Sequence, residues 1–196
     1  MIRIAVLGDI GSGKSHVAKQ FGYPVFNADD EVQELYKKNR KCYIKLKKKL
    51  PKYINSFPIK KKELSTAIFA NKQNLKKIVK IVHPEIQTSM NNFLRKNKNK
   101  KLVVLDIPLL MENKINEKGD VLIFIEAKKK EIIKRLKKRP GVNLKMIRNF
   151  KKLQLPVEIK KKRSDFIIKN NFKNKSTKKS VKKVLREILL NVRSNT

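Results

Sequence analysis

Residues 8 to 15 read Gly-Asp-Ile-Gly-Ser-Gly-Lys-Ser and fit the spacing G-x-x-x-x-G-K-S. No other stretch restricts the chain as tightly, and its flanks suit it. Ile2 to Leu7 is an apolar run broken only by Arg3, the pattern of a buried parallel strand. After Ser15, the residues Val17, Ala18 and Phe21 recur at helical spacing, and Gly22 supplies a stop. A strand, a glycine turn and a helix start form the setting in which this motif is a Walker A phosphate loop.

The residue types follow from what such a loop must do. Gly8, Gly11 and Gly13 permit backbone conformations and close approaches that a Cβ would block. Loop N–H groups and the helix N-terminus then face a chain of phosphates, so Asp9, Ile10, Ser12 and His16 count with the glycines as nucleotide-binding positions. Lys14 reaches the β- and γ-phosphates, and the Ser15 hydroxyl is placed to ligate Mg²⁺. The motif specifies a nucleotide phosphate but no particular reaction.

At 196 residues the chain is read as one α/β domain with room for an insertion. No apolar run approaches the length of a membrane span, and the sequence opens directly on a strand, so neither a membrane segment nor a secretory leader is expected. Cys42 is the only cysteine, which excludes an internal disulfide and a cysteine metal cluster. These features point to the cytoplasm. Lysine and arginine total 51 against 16 acidic residues, a formal charge of +35. Two readings compete: a nucleic-acid surface, or compositional drift with lysines solvating every outward face. The lysines lie along the whole length rather than in one tail, which favours drift, and anionic small substrates would be drawn to the same surface.

Pro24 to Asn27 reads as a second strand that runs into the acidic cluster Asp29, Asp30 and Glu31. Asp29 then falls at the C-terminal end of a strand and the start of a helix, where open α/β sheets bind ligands. It is either a helix cap or a general base, and residue chemistry alone does not choose. Residues 37–100 carry helical periodicity, with Pro84 expected to kink or restart the longest helix and His83 just before it. Leu102 to Ile107 is the clearest buried strand. Asp106 near its end resembles a Walker B position that would hold Mg²⁺. Val121 to Ile125 is a further strand, residues 131–139 a basic helix, and residues 140–163 a Lys- and Arg-rich stretch suited to a lid over phosphates. A short strand from Asp165 and an amphipathic helix over Val181 to Val192 close the chain.

Taken together, these pieces resemble the dephospho-CoA kinase family, in the family's own order. Gly8 to Ser15 is similar to its G-G-I-G-S-G-K-S, Asn27-Ala28-Asp29 to its D-A-D, and Ala67-Ile68-Phe69 to its I-F. His83-Pro84-Glu85-Ile86 is similar to its H-P-x-I, and Pro108-Leu109-Leu110-Met111-Glu112 to its P-L-L-x-E. Arg135 and Arg139 fall on its R-x-x-x-R, Gln154 on a lid glutamine, and Ser164-Asp165 with Ile168-Lys169-Asn170 on its A-D…I-D-N.

The resemblance implies a three-layer phosphate-loop fold with a mostly parallel sheet. Its core would be residues 1–36, 101–134 and 164–196, its helical acceptor-binding insert 37–100 and its lid 135–163. It implies ATP with Mg²⁺ as donor and the ribose 3′-hydroxyl of dephospho-CoA as acceptor. Asp29 would be the general base. Lys14 and Arg139 would offset charge on the moving phosphoryl, and His83, Pro108, Leu109, Glu112 and Arg135 would line the substrate site. The sequence departs from the family at Asp9, Asn27, Ile132, Val157 and Lys169, mostly in the lid and adenine region. A nucleoside monophosphate kinase would share the donor but differ in acceptor. A basic ATP-binding nucleic-acid protein would need stacking aromatics, yet aromatic residues are only 7% and tryptophan is absent.

Overall fold

The computed structural model describes residues 1–113, 115–138, 147, 151 and 154–193. It divides into two compact units, Met1–Phe26 with Asn99–Thr196, and Asn27–Lys98.

The first unit is built on a five-stranded sheet. The strands are β1 (Ile2–Gly8), β2 (Val25–Asn27), β3 (Leu102–Asp106), β4 (Val121–Glu126) and β5 (Phe166–Lys169). Their order is β2-β3-β1-β4-β5, so β1 is central. It pairs in parallel with β3 from Ile2↔Leu102 to Ala5↔Leu105, and with β4 from Ile4↔Val121 to Gly8↔Ile125. β5 continues the parallel sheet with Ile123↔Phe166. Burial on both faces explains the apolar runs of β1, from Ile4 onward, and of β3. Alternate residues Ile4, Val6, Leu102, Val104, Ile123 and Ile125 pack under helix α1 (Lys14–Gln20) and the closing helix α8 (Asn174–Arg193). Each such side chain contributes about 1.5–3 kcal/mol by leaving water. Arg3, the break in the first run, grips Asp120 at the head of β4 with two contacts of 2.9 and 3.2 Å, and also pairs with Glu117. Burial holds the Asp120 carboxyl above its usual range in spite of that cation.

Among the described residues, the remaining helices of this unit are α6 (Lys129–Lys138) and α7 (Val157–Lys162). Among the described residues no helix is long and apolar enough to cross a membrane.

The second unit is helical: α2 (Ala28–Lys38), α3 (Arg40–Lys49), α4 (Lys61–Ala70) and α5 (Lys72–Lys96). Its core gathers Cys42, Leu46, Ile54, Leu64, Ala67 and Ile78. Val32, Leu35 and Tyr36 of α2 pack onto that core. Burial pushes the Cys42 thiol up to about 11, which leaves it inert. Pro84 does not restart the helix. Helix α5 runs unbroken through Pro84 for 25 residues, with Thr88 Oγ1 donating to the Pro84 carbonyl at 3.0 Å. Proline removes one N–H and costs about 3 kcal/mol in a helix interior, but burial of Ile78, Val82 and Met90 along the same helix outweighs that loss.

Candidate active site

The phosphate loop leaves the C-terminal end of β1, at the edge where a parallel sheet binds its ligands. Gly8, Gly11 and Gly13 all have positive φ, at 151°, 84° and 91°. A Cβ at Gly8 would stand 2.7 Å from Ser12 Oγ and 2.8 Å from the Ile125 carbonyl; one at Gly13 would stand 2.4 Å from Asn170 Nδ2. Both positions therefore require glycine. Gly13 caps α1 without a side-chain hydrogen bond, and no acidic residue occupies the first turn. The first N–H groups of the helix thus have no local anion. Ser12 is fully buried, and its Oγ has no hydrogen-bond partner among the described residues, a polar group in need of a ligand.

Lys14 arches back over the loop, its Nζ donating to the carbonyls of Gly8 at 3.3 Å and Asp9 at 3.1 Å. Asp9 does not leave its charge exposed to the loop. Its Oδ1 accepts the Ile10 N–H at 2.7 Å, and its Oδ2 pairs with Lys151 at 2.7 Å. Ser15 and His16 are exposed on the first turn of α1, and Nε2 of His16 lies 2.7 Å from the Gln20 amide nitrogen.

Asn170 fixes the far side of the loop. Its Nδ2 donates to the Ser12 carbonyl at 2.8 Å, and its Oδ1 accepts from the Phe172 N–H at 2.9 Å and Thr177 Oγ1 at 3.1 Å. Arg135 on α6 lies over the Phe172 ring, 4.4 Å from its centroid. Gly11 faces Leu136 and Ile132 of the same helix, so the isoleucine that departs from the family pattern is part of the loop's packing.

Asp106 ends β3 and is 3% exposed. Pro108 and Leu109 stand half-buried in the turn that follows. Glu112, expected to touch substrate, is engaged within the protein. Its Oε1 accepts the Leu155 N–H and pairs with Lys160 Nζ, both at 2.8 Å. Lys160 is 2% exposed and also donates to Gln154 Oε1 at 3.2 Å. Sequence reasoning gave Lys160 no role, because a buried lysine inside a run of exposed lysines carries no local signal.

The helical unit holds two more of the expected residues. The N-cap of α2 is Asn27, whose Oδ1 accepts the Asp30 N–H at 3.0 Å. Capping therefore belongs to Asn27, and Asp29 stands exposed in the first turn. His83 sits half-buried in α5. Arg139 lies outside the described residues.

A family model described as dephospho-CoA kinase matches residues 2–176. This chain belongs to the dephospho-CoA kinase family. Relatives of the family include the dephospho-CoA kinase of Wolbachia sp. subsp. Brugia malayi, 35% identical over 84% of this chain and 87% of its own length. The dephospho-CoA kinase of Bartonella quintana is 33% identical over the same shares. Among solved structures, the protein TT1252 from Thermus thermophilus is similar at a TM-score of 0.77 and 26% identity over 97% of each chain. The dephospho-CoA kinase from Campylobacter jejuni is similar at 0.65 and 25%, over 95% of this chain and 96% of that one. The family is one of transferases that phosphorylate dephospho-CoA, and the α/β fold with a parallel sheet is the one the resemblance implied.

Proposed function

We propose that this protein transfers the γ-phosphoryl of ATP to the ribose 3′-hydroxyl of dephospho-CoA, giving CoA and ADP. The observation that carries the reading is the phosphate loop: three positive-φ glycines, an uncapped helix N-terminus and an orphaned Ser12 hydroxyl, in a chain of this family. Loop N–H groups would hold the ATP phosphates, with Lys14 exchanging its two carbonyls for phosphate oxygens. His16 would flank that loop.

Ser15 and Asp106 would hold Mg²⁺. Both offer the hard oxygen donors this ion takes, and it binds through few protein groups when phosphates supply the rest. When bound, Mg²⁺ offsets phosphate charge.

Asp29 would accept the proton of the attacking hydroxyl, and the structure supports this by giving the cap to Asn27. The helical insert would receive the acceptor, and His83, Pro108 and Leu109 would each bind substrate. Arg135 and Arg139 would serve the nucleotide from the lid side, while Glu112 would act by fixing the return of the lid through Lys160. Lys151 would pass from Asp9 to phosphate as the loop fills. The same reading places the enzyme in the cytoplasm, where a single buried thiol is at home. A coupled assay of ADP release, with CoA followed by chromatography, tests the proposal. ADP release that requires dephospho-CoA, with CoA appearing in step, is expected; acceptor-independent release, or turnover only with nucleoside monophosphates, refutes it.

A further inference from the structure

Helix α8 buries Val181, Val184 and Ile188 in the core of its unit. Away from that apolar stripe, Lys175, Lys178, Lys179, Lys182, Lys183 and Arg186 are all exposed, and together they line a groove of about 680 Å³. Glu187 is the one carboxylate on it. Several exposed lysines of other elements meet an acid: Lys37 and Lys38 meet Glu34, Lys45 meets Glu85 and Lys161 meets Glu126. Among the described residues, no ion pair includes any of the six cations of the groove. The arrangement works against the helix that carries it. Lys178 and Lys182, Lys179 and Lys183, and Lys182 and Arg186 stand four apart, the spacing at which like charges oppose a helix. Lys175 adds a cation to a first turn that has no acidic residue, where the helix dipole favours an anion. A partner that brings a line of negative charge relieves all of these repulsions at once.

We propose that the cationic groove of α8 is a docking surface for the phosphate backbone of a double-stranded nucleic acid. The shape of the charge selects this partner. From Lys175 to Arg186 the helix rises roughly 16 Å, so the cations follow a line rather than a plane. A duplex carries one charge per about 1.7 Å of its axis, which puts roughly ten phosphates within that length. An anionic membrane suits the helix less, because a helix that lies on a bilayer inserts its apolar face, and here that face is packed in the core. Helix α8 contains no aromatic residue, so unpaired bases find nothing to stack on and recognition falls to the backbone. The contact is therefore indifferent to sequence and steeply dependent on salt. The inference does not rest on the proposed function, since none of these side chains belongs to the phosphate loop.

The test is binding of the full chain to labelled DNA and RNA duplexes of about 20 base pairs, followed by fluorescence anisotropy across a salt series. With all six cations engaged, affinity falls on the order of 10³-fold between about 50 and 200 mM salt. A quadruple variant carries Lys178→Gln, Lys179→Gln, Lys182→Gln and Lys183→Gln. In it the same change of salt lowers affinity only about ten-fold, and the melting temperature holds or rises because like charges have been removed. A control variant makes the same exchange at four exposed lysines of α3, namely Lys41, Lys47, Lys48 and Lys49. The control is expected to keep the steep salt dependence of the wild type. Equal weakening by the two quadruple variants overturns the inference, since the lysine excess then acts only as diffuse charge. A wild type that binds vesicles of equal parts phosphatidylcholine and phosphatidylserine, but neither duplex, also overturns it. Binding through α8 to DNA, to RNA or to both supports it and identifies which backbone the groove accepts. A protein that binds duplexes in this way but makes no CoA refutes the proposed function and keeps this inference, and one that makes CoA without binding duplexes does the reverse.

Discussion

Replacing Lys160 by methionine is expected to destabilise the fold by about 3–5 kcal/mol, the usual cost of leaving a buried charge without its partner. The lysine is 2% exposed, and its Nζ lies 2.8 Å from Glu112 Oε1. At that distance and an effective dielectric near 20, the attraction is about 6 kcal/mol before desolvation is subtracted. Methionine fills the space of the stem but leaves the Glu112 carboxylate, itself 10% exposed, with the Leu155 N–H and no cation. At about 2–4 °C per kcal/mol for a chain of this size, the melting temperature should fall by roughly 6–20 °C. Urea unfolding of the wild type, Lys160→Met, Glu112→Leu and the double variant closes a thermodynamic cycle. The double variant should recover most of the loss, because two apolar groups in place of a buried pair are close to neutral. A single-variant cost below about 1 kcal/mol, or a double variant whose cost equals the sum of the singles, refutes the claim that one buried pair joins the turn after β3 to α7.

Asp29→Asn is expected to lower turnover by on the order of 10²–10⁴ with ATP affinity retained, measured by steady-state kinetics beside direct ATP titration; near-normal turnover removes Asp29 as base. Gly13→Ala should abolish tight ATP binding, because its Cβ would meet Asn170 Nδ2 at 2.4 Å at a φ that disfavours alanine; wild-type affinity in that variant would mean the loop adapts. Burial alone would raise the Glu63 carboxyl, but hydrogen bonds from the Asn55, Ser56 and Lys60 N–H groups and from Ser56 Oγ outweigh it and hold the group below its ordinary value of 4.5. The folded-state pKa is depressed, so this contribution is full above 4.5 and is lost as pH falls through the lower, folded value. Melting curves should therefore show a gap between wild type and Glu63→Gln at pH 6 that narrows on acidification; a gap that is constant with pH contradicts the assignment.

The parts of the structure that could be read from the sequence are those whose cause is local. The strand–loop–helix from Ile2 to Gln20 was legible because glycine spacing and an apolar run each have a short-range physical reason. The strands β3 and β4 announced themselves as continuous apolar runs, to within a residue at their ends. At Pro84 no restart occurs, since local geometry opposes proline while the tertiary burial of α5 keeps the helix continuous. Asp29 could not be separated from a cap until Asn27 was seen to take that task. Asp9 read as an unmatched charge because Lys151, its partner, is 142 residues away. Lys160 and Glu112 show the same limit, since neither residue's surroundings can be inferred from its neighbours in sequence.

The amide of Asn170 has a consequence for how the protein comes into being. It holds the Ser12 carbonyl across 158 positions of chain, and its other atom takes Thr177 at the start of α8. The nucleotide loop is made among the first residues, yet one of its walls is made among the last. At about 5–20 residues per second, a nascent chain carries its glycine motif for roughly 8–30 s before Asn170 is synthesised. For most of that interval β1 lacks its neighbour β4, and throughout it the loop lacks the Asn170 wall. Nucleotide binding thereby becomes a property of the finished chain, and a product truncated before β5 would carry the whole motif with no rigid site to present it.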